Sequence, residues 1–126
     1  MKKPTGFTLI ELLVVIAIMT TVLSLVAPLM IEQVDKTKAA AEYYEVEQYL
    51  LDSSKVAFLK GQKINFWFDG KSLKRVIGQD VTMLEFQYLF FPKQKMQISA
   101  NGFSNTQYIS VIAGTKTQQI NLMESM

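Results

Sequence analysis

The sequence predicts an α+β protein in which one long N-terminal helix lies on a small antiparallel sheet. Three observations carry this reading. Twenty consecutive residues, Leu12 to Ile31, hold no charge. Apolar residues then recur at helical spacing as far as Ala57. From Gln62 onward the period of the pattern falls from about 3.6 to about 2.

The uncharged run comes first. Twenty helical residues, at about 1.5 Å each, span roughly 30 Å, the hydrocarbon thickness of a bilayer. Residues 7–31 are therefore expected to form a transmembrane helix. The hydroxyls of Thr20, Thr21 and Ser24 can bond carbonyls one turn earlier, so they cost little there. Lys2 and Lys3 closely precede the span and predict a cytoplasmic N-terminus, with the C-terminal part in a periplasm or at a cell surface. A cleaved secretory signal fits less well. Leu25 would stand third before a cut after Ala27, Pro28 would follow it, and the apolar run exceeds the roughly 7–15 residues of a signal core. A plain retained anchor is the simpler alternative.

Glu11 bears on that alternative. A carboxylate in a spanning helix costs on the order of a few kcal/mol, so it usually has a partner. It stands four residues after Phe7, one helical turn on. A cut after Gly6 would give residue 7 an ammonium group near that carboxylate. Such a pair, about 4 Å apart at an effective dielectric near 20, is worth several kcal/mol. The other reading places Glu11 in the headgroup layer, where it favours the positive end of the helix.

After Ile31 the chain turns polar and alanine-rich with no helix breaker, and high helix propensity predicts that the helix continues over residues 32–60. Tyr43, Val46, Leu50, Ser53 and Ala57 form an apolar stripe there, with Tyr49 and Val56 beside it. Gly61 stands where a C-terminal cap belongs. Residues 61–126 read as the sheet domain, with five or six short strands. Ile64, Phe66 and Phe68 alternate with Asn65, Trp67 and Asp69, Asp69-Gly70 offers a turn, and Leu73 to Ile77 answers as a partner. Val81 to Phe91 reads as one strand stopped by Pro92. Met96 to Ala100 runs into the turn signal Asn101-Gly102. Tyr108 to Ile112 and Thr117 to Leu122 flank Gly114 as a last hairpin. Brief connections make the arrangement antiparallel.

Composition argues against an enzyme. The chain of 126 residues has neither histidine nor cysteine. That removes the commonest general base, the commonest metal ligand and any disulfide. Asp52, Asp69, Asp80 and Glu85 are scattered without metal-ligand spacing, so no catalytic residue, metal or cofactor is expected. The net charge of +2 comes from Lys2 and Lys3, so bulk charge does not argue for nucleic acid. A local cluster keeps DNA in view: Lys71, Lys74 and Arg75 follow the first turn, with Lys60 and Lys63 near in sequence and Trp67 available for stacking. Solvated lysines around a hairpin are the commoner explanation.

The stretch from Lys3 to Ile18, with Gly6-Phe7-Thr8-Leu9-Ile10-Glu11 at its centre, resembles the N-terminus of type IV pilins and of the pseudopilins of type II secretion and competence systems. The resemblance covers roughly the first 30 residues and implies a pilin-like fold. It implies that a prepilin peptidase cuts between Gly6 and Phe7, leaving residues 1–6 as a leader, and that Phe7 is then N-methylated. It implies that Glu11 pairs with the terminal amine of a neighbouring subunit during assembly. Pro28 stands where such helices often carry a proline, which removes one backbone bond and kinks the helix. The implied function is that of a structural subunit, a minor pilin or pseudopilin, in a filament serving protein secretion or pilus biogenesis. The implied partners are the prepilin peptidase/methyltransferase, other pilin or pseudopilin subunits, an inner-membrane assembly platform and membrane lipid.

Residues 50–64 and the general layout are also similar to small minor pseudopilins of the H-type. Major pseudopilins often carry an acidic calcium loop near the C-terminus, whereas here Glu124 is the one acidic residue among the last 40. The C-terminal disulfide of many major pilins is impossible without cysteine. Two alternatives remain: a competence pseudopilin taking part in DNA uptake, and a membrane-anchored binding module outside any filament.

Overall fold

The computed structural model describes residues 3–125. Met1, Met126 and Lys2 of the basic leader lie outside them. Two compact units are present, Met1–Asp35 and Lys36–Met126, and a single helix, α1 (Leu9–Lys60), contributes to both.

In the first unit every described residue is exposed. Apolar side chains surround this part of α1 on all sides, so no face is distinguished for packing against its own chain. The helix runs unbroken through Pro28. Just before the proline, three hydroxyls fold back on the backbone: Thr20 onto the Ile16 carbonyl at 2.7 Å, Thr21 onto Ala17 at 2.8 Å and Ser24 onto Thr20 at 2.8 Å. Their polarity is thereby satisfied inside the helix.

In the second unit α1 buries Val46, Leu50, Ser53 and Ala57, which recur at intervals of four and three and so share one face. The helix ends where Gly61, at φ 60°, lets the Gln62 N–H reach the Ala57 carbonyl at 3.2 Å and the Gly61 N–H reach Phe58 at 3.4 Å. That pair of bonds defines a Schellman stop. Six strands follow: β1 (Ile64–Gly70), β2 (Ser72–Ile77), β3 (Asp80–Glu85), β4 (Leu89–Ile98), β5 (Tyr108–Ala113) and β6 (Lys116–Asn121). The order across the sheet is β3-β2-β1-β4-β5-β6, and every pairing is antiparallel. A four-residue helix, α2 (Leu122–Ser125), closes the chain. The fold is thus the helix-on-sheet, α+β architecture that the sequence predicts.

The core holds Phe66, Phe68, Phe91, Leu73, Met96, Ile98, Ile109 and Ile120 with the buried side of α1. Its rings pack at 5.1 Å between Phe68 and Phe91 and 5.6 Å between Phe86 and Phe91. Each such fully buried side chain contributes about 1.5–3 kcal/mol of transfer free energy.

One sequence expectation is corrected. Val81 to Phe91 is not one strand stopped by Pro92. The chain leaves β3 after Glu85, crosses the β1–β2 turn and begins β4 at Leu89, with Pro92 inside that strand. Two contacts explain it. The Phe86 N–H bonds the Lys71 carbonyl of the turn at 2.7 Å. The Glu42 carboxylate of α1 accepts the N–H groups of Gln87 and Tyr88 at 2.8 Å each and of Leu89 at 3.0 Å. Pro92 is tolerated because it falls where the register shifts between Phe68 and Gly70, a bulge at which a missing N–H costs little.

Beyond that bulge β4 and β5 diverge, and only Leu89↔Ala113 and Phe90↔Ile112 pair. The Gln94 side-chain amide fills the gap, donating to the Ser110 carbonyl at 2.6 Å and accepting the Ser110 N–H at 3.2 Å. The Asn101-Gly102 turn forms as expected, but it packs against α1. Gly102 sits at φ +84° with its Cβ position 3.3 Å from the Ser54 carbonyl oxygen, and its own carbonyl accepts the Ser54 hydroxyl. Any larger residue would meet the helix backbone there.

Candidate processing and assembly site

The Gly6–Phe7 bond lies in a stretch without regular structure that ends at the first turn of α1. Nothing lies within 4 Å of the Gly6 Cβ position, and Phe7 is 90% exposed. An uncovered segment without regular structure is what an endopeptidase cleft can take up.

The helix starts at Leu9 rather than at Phe7, and Thr8 causes this. Its hydroxyl oxygen accepts the Glu11 N–H at 3.3 Å, while the Glu11 carboxylate accepts the Thr8 N–H at 2.9 Å. The two residues form a reciprocal capping box, which satisfies two of the backbone donors left open at a helix start. Glu11 is therefore turned toward the N-terminal end of its own helix, where the positive pole also favours it. The cap holds Glu11 at the helix end. It also brings the carboxylate to the residue directly after Phe7. Thr8 was not among the predicted site residues, yet Thr8-Leu9-Ile10-Glu11 carries the spacing of a capping box and could have been found from it.

The candidate DNA residues do not converge. Arg75 turns toward the helix, its guanidinium 4.5 Å from the Tyr49 ring centroid and 3.2 Å from the Ser53 hydroxyl. Burial pushes the Tyr49 phenol above its usual pKa, and the Arg75 charge opposes that shift. Lys74 lies 5.8 Å from the Trp67 ring on the opposite face, where the register also sets Lys95 beside Trp67. Lys71 occupies the β1–β2 turn, whereas Lys60 and Lys63 precede β1 at its other end. Of the scattered acids, Asp52 pairs with Lys55 at 3.4 Å and Asp69 with Lys93 at 3.6 Å. No three potential metal ligands come together among the described residues.

An accessible glycyl bond ahead of one long apolar helix, followed by a helix-on-sheet domain, fits a single-pass membrane-anchored protein of pilin-like architecture. Residues 1–27 match the family model for the prokaryotic N-terminal methylation motif. That motif points to a type IV pilin- or pseudopilin-like substrate of prepilin peptidase, a structural class of protein rather than an enzymatic one. No curated protein and no solved structure matches the chain.

Proposed function

We propose that this chain is the precursor of a structural subunit, a minor pilin or pseudopilin, of a type IV-like filament used in protein secretion or pilus biogenesis. The match over residues 1–27 carries the reading, and the exposure of the Gly6–Phe7 bond supports it. Cleavage there removes residues 1–6, and methylation follows on the Phe7 amine. Lys2 and Lys3 hold that end in the cytoplasm, with residues 7–31 in the inner membrane and the C-terminal domain outside. Because neighbouring helices offer surroundings as apolar as lipid, transfer of this segment into a filament core has little net cost.

Glu11 has a second task in this scheme. Its carboxylate already reaches back to Thr8, so a new ammonium at Phe7 of an adjacent subunit finds an acceptor at the very end of the helix. Pro28 relaxes the helix where its missing N–H leaves the Ser24 carbonyl without the usual partner. Mass spectrometry of the protein from its native host is expected to find a chain that begins at Phe7 and carries one added methyl. A chain beginning at Met1 overturns the reading. Gly6→Ala is expected to leave the precursor almost wholly uncut, seen as a larger band on a gel.

A further inference from the structure

We propose that the outer edge of β3 is a strand-addition site for an extended segment of another protein chain, apolar at its centre and basic at its flanks. The inference stands on the sheet itself and does not depend on the filament reading. Ile77 pairs with Asp80 across a two-residue turn, and such a closing pair is hydrogen-bonded. Alternation then directs Asp80, Thr82 and Leu84 toward β2. The Phe86 N–H continues the same phase by bonding Lys71 at 2.7 Å. Val81, Met83 and Glu85 consequently turn their N–H and C=O groups away from the sheet.

Natural sheets commonly blunt such an edge with proline, a bulge, charged side chains or a covering element. β3 has the sequence Asp80-Val81-Thr82-Met83-Leu84-Glu85 and pairs with β2 without a register shift, so it has no proline or bulge, and its charges stand only at its two ends. The opposite edge is treated differently. On β6 the outward carbonyl of Gln119 accepts the Tyr43 hydroxyl of α1 at 3.3 Å, and the exposed positions are Lys116, Thr117, Gln118 and Gln119. On β3 the side chains beside the open backbone groups are apolar: Val81 is 58% and Met83 59% exposed.

Charge decides the occupant. Asp80 and Glu85 bracket the edge, and both are exposed. If a second copy paired through its own β3 about Met83, Val81 would face Glu85 of the other copy, and both sets of carboxylates would crowd one seam. At each end Glu85 of one copy would stand one position along from Asp80 of the other, bringing two like charges within a Debye length, where they repel. A strand from a different chain with lysine or arginine at its ends meets the same backbone groups and neutralises both acids, its apolar centre covering Val81 and Met83.

The test uses the full chain in detergent micelles and a capped peptide of alternating valine and threonine flanked by lysines. Amide hydrogen exchange is read residue by residue. The expected result is slowing of at least about tenfold at Val81, Met83 and Glu85, with Thr117, Gln119 and Asn121 unchanged. Met83→Pro removes an outward N–H but no bond to β2, so it abolishes this protection at unchanged melting temperature. Should the proline disturb the strand, the double variant Asp80→Lys, Glu85→Lys serves, and it is expected to weaken peptide binding at least about tenfold. No protection at saturating peptide, protection at β6 instead, or β3 protection that grows with protein concentration alone would each overturn the proposal, the last by showing self-pairing.

Discussion

Residues 9–35 and 36–60 are consecutive parts of one helix, yet only the second is covered by its own chain. The difference is not one of helix formation, since α1 is continuous from Leu9 to Lys60. It lies in how apolar residues are distributed around the axis. The first part presents leucine, isoleucine and valine on every side, and all of its described residues are exposed. The second concentrates Val46, Leu50, Ser53 and Ala57 on one stripe, which the sheet buries to 1% exposure or less. A helix apolar all round needs an apolar surrounding, either lipid or other helices, whereas a striped one needs only a single partner surface.

The sharpest way to break this comparison is the same substitution on both sides. Leu50→Ala is expected to cost about 2–5 kcal/mol and to lower the melting temperature of the sheet domain by roughly ten degrees or more. Leu13→Ala should leave that transition within about 0.5 kcal/mol of the wild type. Equal effects in calorimetry of the full chain would erase the distinction. Next in size is Glu42→Gln, which leaves at most one good acceptor for three converging N–H groups. It should cost about 2 kcal/mol and speed exchange at Gln87, Tyr88 and Leu89, with the first part of α1 unaffected.

Thr8→Ala probes the other end. Loss of the cap is expected to cost about 1 kcal/mol, read as faster exchange of the Glu11 amide, with no change in the domain's melting. The smallest effect concerns pH. Burial raises the Tyr49 phenol above its ordinary value of 10.0 in the folded domain. The unfolded chain therefore releases that proton first. The contribution is intact below pH 10.0 and is lost as pH rises toward the folded value. The segment Met1–Asp35 has no tyrosine, so this contribution is confined to the sheet domain.

The helix-on-sheet plan was legible because its signals are periodic: a charge-free run, a helical stripe and then alternation, with Gly61 marking the stop. Strand boundaries were less so. Nothing local distinguishes Phe86 to Tyr88 from a strand, because what bends the chain there is the carboxylate of Glu42, 45 residues upstream of Gln87. Pro92 misled for a related reason, since its place in β4 depends on a bulge opposite Asp69 that is a property of the pairing. At the N-terminus the motif around Gly6 and Glu11 could be read directly, and Thr8 could have been. Arg75 could not. Its position on β2 was evident, but the face it points to follows from register, which sets Trp67 against Lys74 and Phe66 against Arg75.

The clasp at Glu42 also joins two halves of the sheet. Residue 42 lies on the helix 45 residues ahead of Gln87, so the acceptor belongs to an element that is complete before the loop begins. The β1–β2–β3 hairpins close through short turns, whereas β4 takes its central place from the far side of the loop that Glu42 holds. The step from one half of the sheet to the other is thereby anchored to the helix rather than to either neighbouring strand.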